Sequence, residues 1–142
     1  MKLRDMMSEQ VVRIHPEETV DVAARTLAQY NIGALPVCGN DGRVFGMVTD
    51  RDLVTRCLAA GQSPEKTKVR QVMTGRVVSA SPDMTPEDAA RLMGAQQIRR
   101  LPVVENGTLC GMISLGDLAI HGENAAAEAL EEISEKIRNF EK

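Results

Sequence analysis

The chain has 142 residues, of which 43% are hydrophobic and 26% charged, a composition typical of a globular protein with a buried core. Its net charge of −3 and aromatic content of 2% argue against a nucleic-acid-binding surface, which needs clustered cations and stacking side chains. No segment approaches the length of a membrane-spanning apolar run, and the N-terminus has no apolar signal-peptide core. Three widely spaced cysteines fit a reducing compartment. We therefore expect a cytoplasmic protein that binds neither nucleic acid nor membranes.

In the first half of the chain, the pattern predicts the order β-α-β-β-α. The β-branched run Val11–Ile14 is a predicted strand that ends before a proline. Two further strands, Leu35–Cys38 and Arg43–Val48, flank a turn of Gly, Asn and Asp residues, and a second helix begins at Thr49 and ends at Gly61. The first helix has apolar positions at helical spacing, and its predicted buried stripe consists of Val22, Ala23, Thr26, Leu27 and Tyr30.

The second half repeats the first at an offset of 66 residues, so that Leu35-Pro36-Val37 falls on Leu101-Pro102-Val103. After a one-residue slip in the turn, Asp52-Leu53 falls on Asp117-Leu118. Because prolines, glycines and aspartates coincide along with apolar residues, we infer an internal duplication. Thr85 is the predicted N-cap of the repeated helix, with Pro86 at its first position. The other predicted strands are Val77–Ala80, Leu101–Glu105 and Thr108–Ile113, the last two joined by the turn Asn106-Gly107.

The segments outside the repeated elements are a polar linker and a C-terminal helix. The linker, residues 62–71, contains Ser63-Pro64-Glu65, which predicts a helical turn. The C-terminal helix either covers its own domain or joins a second subunit or a partner protein. Its apolar positions are Ala126, Leu130, Ile133, Ile137 and Phe140. We place the first repeat at residues 1–65, the second at 66–122 and the C-terminal amphipathic helix at 123–142.

The -LPV- strand, the Gly-hydrophobic-hydrophobic-Thr/Ser-x-x-Asp segment and the duplication resemble the tandem CBS-domain (Bateman) module, in the form of small stand-alone bacterial proteins with two CBS repeats. The resemblance covers about residues 5–120. It implies an α/β (α+β) fold, in which two β-α-β-β-α repeats pack about a pseudo-twofold axis, plus the C-terminal helix. It also implies two clefts between the repeats that bind adenosine-containing ligands such as AMP, ADP, ATP, S-adenosylmethionine or NADH, and association into a homodimer.

Two predicted helix starts have both a structural and a functional interpretation. Thr49 with Asp52, and Ser114 with Asp117, have the spacing of a capping box. A helix start after a strand also carries free N–H groups that bind anions, and a carboxylate can accept hydrogen bonds from ribose hydroxyls. The resemblance implies that Asp52 and Asp117 bind ribose, with Thr49 and Ser114 beside them.

The pair Arg99-Arg100 precedes the second -LPV- strand, whereas the first repeat has the uncharged pair Gly33-Ala34. In isolation, the two arginines are interpreted as solvated charges. The resemblance implies instead that they bind a phosphate whose ribose is held by the other repeat, so that the two sites are unequal. The first predicted site consists of Thr49, Arg51, Asp52, Val78, Arg99 and Arg100. The second, expected to be empty or to prefer a less charged adenosyl group, consists of Val12, Ile32, Gly33, Ala34, Ser114 and Asp117.

Motifs of catalysis are missing from the sequence: it has no GxSxG, Walker or GxGxxG sequence, so we expect no enzyme. His15 and His121 do not form a metal-ligand spacing with the cysteines, so we expect no metal site. We expect a regulatory module that requires no cofactor, binds an adenine nucleotide as its regulatory ligand and signals by conformational change to a separate, unidentified protein. Two alternatives are an interaction platform that acts through the C-terminal helix and a metal-binding stress protein.

Overall fold

The structure is a computed structural model that describes residues 1–121 and 130–135, the side chain of His121 excepted. Its helices are α1 (Val20–Tyr30), α2 (Asp50–Leu53), α3 (Val69–Val72), α4 (Pro86–Gln96) and α5 (Leu115–His121). Its strands are β1 (Ala34–Cys38), β2 (Val44–Thr49), β3 (Arg100–Glu105) and β4 (Thr108–Ser114). A 3-10 turn spans Leu3–Asp5, α2 continues into a π-helical segment at Val54–Leu58, and residues 130–135 are helical. The predicted mixture of helices and strands is confirmed.

The residues group into two compact units, each containing one β-hairpin. The first unit consists of Val12–Val77 with Gly107–Leu109. The second consists of Met1–Val11, Val78–Asn106 and the described residues from Cys110 onward. Each unit therefore includes the beginning of the other sequence repeat, which we call its leader segment: residues 66–77 for the first unit and residues 1–11 for the second. The packing unit thus differs from the sequence repeat, which we defined by residues 1–65 and 66–122.

The hairpins follow from turn chemistry and from a buried first strand. β1 pairs antiparallel with β2, Ala34 lying opposite Thr49, and β1 is buried from Leu35 to Cys38. β3 and β4 form the corresponding two-stranded sheet. The connecting residues Asn106 and Gly107 both have left-handed backbone angles, with φ of 53° and 82°. Such angles are typical of the type I′ turn, which the Asn-Gly pair predicts.

The β-branched runs that precede the first helix of each repeat form single bridges. Ile14 donates its N–H to Pro36 O at 3.0 Å and accepts from Cys38 N at 2.9 Å. Ala80 makes the same two bonds, to Pro102 O at 2.9 Å and from Val104 N at 2.8 Å. The predicted strands Val11–Ile14 and Val77–Ala80 are therefore wrong in extent: only the last residue of each run pairs with a strand. The proline two residues later, which has no N–H to donate, keeps the pairing from continuing.

Each unit has its own hydrophobic core between a helix and the hairpin. In the first unit, α1 contributes Val20, Ala23 and Leu27, which pack with Leu35, Val37 and Val48. In the second unit, α4 contributes Ala89, Ala90 and Met93, which pack with Leu101, Val103 and Ile113. Of the predicted stripe on α1, Ala23 and Leu27 are buried, while Val22 and Thr26 are half-buried. Tyr30 is 52% exposed, so its predicted burial is wrong: α1 ends there, at the left-handed Asn31.

The predicted linker turn is confirmed, since Thr67 N donates to Ser63 O at 2.9 Å. In the C-terminal region, Ile133 is buried and Leu130 is 46% exposed. The predicted helix positions Ala126, Ile137 and Phe140 lie outside the described residues. Within the part of the chain that the structure describes, every helix is too short or too polar to cross a membrane.

Two glycines of the repeated Gly-Met pairs allow the leader segment of each unit to lie directly on the second strand. A Cβ on Gly46 would be 2.6 Å from Thr74 O, and one on Gly111 would be 2.7 Å from Met7 Sδ and 2.8 Å from Ser8 O. The neighbouring Met47 exchanges backbone hydrogen bonds with Thr74 at 3.0 and 2.8 Å. A side chain at either glycine would therefore push the leader away from the hairpin.

Candidate functional site

Each unit presents the start of a helix directly after its second strand. In the first unit, Thr49 Oγ1 accepts from Asp52 N at 3.1 Å, and Asp52 Oδ2 accepts from Thr49 N at 3.0 Å. In the second, Ser114 Oγ accepts from Asp117 N at 3.1 Å, and Asp117 Oδ2 accepts from Ser114 N at 2.8 Å and from Ser114 Oγ at 2.9 Å. The predicted capping boxes are thus present at both helix starts.

Capping uses only one oxygen of each carboxylate. Asp52 Oδ1 lies 3.7 Å from Arg56 Nε, and the Asp52 side chain is 12% exposed. Within the described residues, Asp117 forms its hydrogen bonds through Oδ2 alone. A carboxylate has about four lone-pair positions for donors. The Oδ1 atoms can therefore accept further hydrogen bonds, so capping and ligand binding by the same aspartate are compatible.

The beginning of the first strand lies beside the helix start in each unit. Asp50 N donates to Gly33 O at 3.0 Å, and Leu115 N donates to Arg99 O at 3.0 Å. Residues 32–34 and 49–52 are called the first edge, and residues 98–100 and 114–117 the second edge. The same backbone contact thus defines both edges.

Residues of both predicted sites lie together at each edge. The first edge brings Thr49, Arg51 and Asp52 of the first predicted site next to Ile32, Gly33 and Ala34 of the second. The second edge brings Arg99 and Arg100 of the first predicted site next to Ser114 and Asp117 of the second. That Asp52 and Arg100 serve one ligand molecule stays a prediction.

Among the described residues, three arginines of the edges form no ion pair. Arg51, Arg99 and Arg100 are exposed, and no carboxylate of the described residues forms an ion pair with them. Arg56 differs, because it pairs with Asp52 and donates through Nη1 to Val72 O and Met73 O. The three edge guanidinium groups can therefore form charge-assisted hydrogen bonds with an anionic ligand.

The apolar residues of the predicted sites also belong to the cores. Val12 and Ile32 are half-buried against the first core, and Val78 is half-buried against the second. Core packing accounts for these contacts.

Sequence reasoning missed Asp50, whose carboxylate lies over Gly33: a Cβ on Gly33 would be 3.4 Å from Asp50 Oδ2. Asp50 Oδ1 also accepts from Arg51 N at 2.7 Å. A charge comparison of the two aligned repeats would have revealed this residue, because Leu115 occupies its place in the second.

Sequence reasoning also missed two sets of ion pairs. In each set, which we call an ionic clamp, one acidic residue binds two basic residues of a leader segment. Glu17 Oε1 lies 2.9 Å from Arg70 Nε, and Glu17 Oε2 binds Lys68 Nζ. Asp83 Oδ1 binds Arg4 Nη2 and lies 3.4 Å from Lys2 Nζ. Hydrogen bonding to Lys68 lowers the pKa of Glu17, and hydrogen bonding to Arg4 lowers the pKa of Asp83. The repeat offset of 66 residues would have revealed both clamps in the sequence. It separates Glu17 from Asp83, Lys2 from Lys68 and Arg4 from Arg70.

Within the described residues, no cluster of His, Cys, Asp and Glu side chains could hold a metal ion. Cys38 and Cys57 are buried, Cys110 is half-buried, and none of the three forms a disulfide. Burial raises the pKa of the Cys38 thiol.

The chain is similar to known proteins in both sequence and structure. YhcV of Bacillus subtilis, a CBS domain-containing protein, is 42% identical over 134 residues, which are 93% of this chain and 94% of the relative. Hypoxic response protein 1 of Mycobacterium tuberculosis is 34% identical over 118 residues, or 83% of this chain and 82% of the relative. The crystal structure of Hypoxic Response Protein I, with two coordinated zinc ions, matches 85% of this chain and 98% of its own at 33% identity and a TM-score of 0.78.

The fold is also that of the CBS domain pair of protein MJ0100, solved in complex with 5′-methylthioadenosine and S-adenosyl-L-methionine. The likeness covers 87% of this chain and 97% of the other, with 24% identity and a TM-score of 0.73. The family model of the CBS domain matches twice, at residues 3–59 and 69–124. The chain therefore belongs to the CBS domain family and carries two CBS domains in tandem.

Proposed function

We propose that the chain is a regulatory, non-catalytic module that binds an adenosine-containing ligand at its two edges. The observation that carries the proposal is the helix start that occurs in both units. There an aspartate of the capping box uses one carboxylate oxygen for the cap and keeps the other for a ligand. Neighbouring vicinal hydroxyls are suitable donors to that oxygen, and a ribose supplies them. The ligand is a regulator rather than a required cofactor.

The arginine pair of the second edge supports a phosphate on the ligand. Arg99 and Arg100 are adjacent, exposed and unpaired within the described residues. Guanidinium groups form forked, charge-assisted hydrogen bonds with phosphate oxygens. AMP, ADP and ATP are therefore the candidate ligands for the site that uses these arginines.

The signal passes to a separate protein through a change of conformation in a homodimer. A ligand can shift such an equilibrium only by its difference in affinity for the two conformations. Val54 and Leu58 lie four residues apart on the π-helical segment and are 54% and 59% exposed. Two exposed apolar side chains at this spacing support a contact between the subunits of the homodimer at this face. Native mass spectrometry tests for the dimer and for a co-purified ligand together.

The decisive experiment is isothermal titration calorimetry of the whole chain with ATP, ADP, AMP, NADH and S-adenosylmethionine. We expect Arg100→Ala to weaken ATP binding about tenfold or more, because a hydrogen bond to a charged group is lost. Arg76→Ala, which removes another exposed arginine, is the matched control and should leave ATP affinity unchanged. Absence of heat and of thermal stabilisation with every ligand would contradict the proposal.

The aspartates need a variant that preserves the helix cap. Asp52→Asn retains an oxygen that can accept from Thr49 N, while it removes the charge that favours ribose hydroxyls. We expect weaker nucleotide binding with a nearly unchanged melting temperature. A double-mutant cycle with Arg100→Ala then tests whether both residues act on one ligand molecule, since independent sites give additive effects.

A further inference from the structure

The two edges have the same backbone contact but inverted charges. Gly33 O accepts from Asp50 N, and Arg99 O accepts from Leu115 N, both at 3.0 Å. Gly33 thus occupies in the first unit the place of Arg99 in the second, and Asp50 occupies the place of Leu115. The first edge has the Asp50 carboxylate where the second has the apolar Leu115, and it has Gly33 where the second has the guanidinium of Arg99.

The Asp50 carboxylate lies where a side chain of residue 33 would begin. A Cβ on Gly33 would be 3.4 Å from Asp50 Oδ2 and 3.9 Å from Asp50 Oδ1. The φ of Gly33 lies outside the left-handed region, so the backbone there accepts an L-residue. Steric strain therefore does not require glycine at this position, and a larger residue would meet the carboxylate at ordinary contact distance.

The charges at the first edge disfavour phosphate beside Gly33. Asp50 is exposed and therefore faces solvent or ligand, and a like charge a few ångströms away is repelled. The first edge also has one exposed cation, Arg51. Its charge is outnumbered by the two carboxylates of Asp50 and Asp52. At the second edge the cations are in excess, because the two guanidinium groups of Arg99 and Arg100 outnumber the single carboxylate of Asp117.

We propose that Asp50 is a specificity-determining residue that disfavours phosphate on the Gly33 side of the first edge. The inference rests on the proposed function and deepens it. The site that uses Gly33 and Ala34 takes an adenosyl ligand whose 5′ substituent is uncharged or cationic, whereas the site that uses Arg99 and Arg100 takes a phosphorylated one. The two repeats then report two chemically different ligands.

The test is calorimetry of the whole chain with ATP, 5′-methylthioadenosine and S-adenosylmethionine as probes. We expect the unaltered chain to bind one ATP and, when saturated with ATP, still to bind 5′-methylthioadenosine or S-adenosylmethionine. Asp50→Asn should strengthen ATP binding at the weak site about two- to fivefold, the range of a single exposed charge contact. The double variant Gly33→Arg with Asp50→Leu copies the second edge and should bind a second ATP.

The matched control is Glu65→Gln, which removes one exposed carboxylate from the same unit. Glu65 follows Pro64, whose carbonyl accepts from Asp21 N at the first turn of α1, whereas Gly33 follows the opposite end of that helix. Melting curves establish whether each variant folds. If the double variant does not fold, the single variant Asp50→Asn is sufficient for the test.

Three outcomes overturn the inference. If the unaltered chain binds two ATP molecules with equal affinity, or if Asp50→Asn binds ATP no more tightly than Glu65→Gln does, Asp50 is not a specificity determinant, while the proposed function stands. If none of the three probes binds, the inference falls, and if AMP, ADP and NADH do not bind either, the proposed function falls with it.

Discussion

Glu17 and Arg70 form an ion pair with 2.9 Å between Oε1 and Nε, and this pair joins the leader of the first unit to the segment before α1. Asp83 and Arg4 occupy the corresponding positions in the second unit. Both clamps are half-exposed, so their contribution to stability depends on pH and salt.

We predict that the clamps make the protein sensitive to acid. The folded pKa values of Glu17 and Asp83 lie below their ordinary values, so the stabilisation is complete above the unfolded pKa, about 4.3 for Glu and 3.9 for Asp. It is lost as the pH falls through the folded pKa. Glu17→Gln should therefore lower the urea midpoint slightly at pH 7 and reduce its further fall between pH 5 and pH 3. Glu65→Gln, at an exposed carboxylate, is the control, and equal slopes for both variants would contradict the prediction.

We predict that Gly46→Ala and Gly111→Ala destabilise the protein by about 1–3 kcal/mol, the usual range for overpacking. The added methyl groups would lie 2.6 Å from Thr74 O and 2.7 Å from Met7 Sδ. Gly75→Ala is the matched control, because a Cβ there has nothing within 4 Å and the backbone is not left-handed. Urea unfolding measures all three, and a Gly46→Ala variant as stable as Gly75→Ala would show that the leader does not lie on β2.

We predict that loss of a helix cap separates stability from ligand binding. Thr49→Ala and Thr85→Ala each remove a side-chain oxygen that accepts a backbone N–H, so each should cost about 0.5–2 kcal/mol of folding free energy. Only Thr49 lies at an edge. Thermal unfolding and ATP titration should therefore show similar destabilisation in both variants but weaker nucleotide binding in Thr49→Ala alone; weakened binding in both would assign the effect to stability.

We predict that Cys110 is the first thiol to react with a disulfide reagent in the native protein. Cys38 and Cys57 are 3% and 0% exposed, and burial holds the pKa of the Cys38 thiol above its ordinary value, which lowers its thiolate fraction. Cys110→Ser should abolish the fast phase of labelling. A fast phase that persists in this variant would contradict the burial of the other two thiols.

Much of the fold was predictable because its determinants are local and occur twice. The Asn106-Gly107 turn, the capping residues Thr49 and Thr85, and the strands around each -LPV- sequence lie within one residue of their predicted positions. The extent of the Val11–Ile14 strand was not predictable, because β-branched residues favour extended backbone without showing how many of them find a partner.

The candidate site was predictable only in its local parts. The capping boxes follow from residue types three positions apart, and the structure shows their hydrogen bonds. The contact of Asp50 with Gly33, and the ion pair of Glu17 with Arg70, join residues distant in the sequence and depend on how the hairpin and the leader pack. A comparison of charges between the aligned repeats, rather than of apolar residues, would have identified both.

The exchange of leader segments also sets an order for folding during translation. The first unit, apart from residues 107–109, is one continuous stretch of chain and can assemble as soon as it leaves the ribosome. The second unit needs residues that are synthesised before the first unit: Leu3 N donates to Met84 O, and Ser8 N donates to Met112 O. Residues 3 and 8 must therefore stay unpaired until Met84 and Met112 have been synthesised, and these closing contacts are of the long-range kind that slows folding.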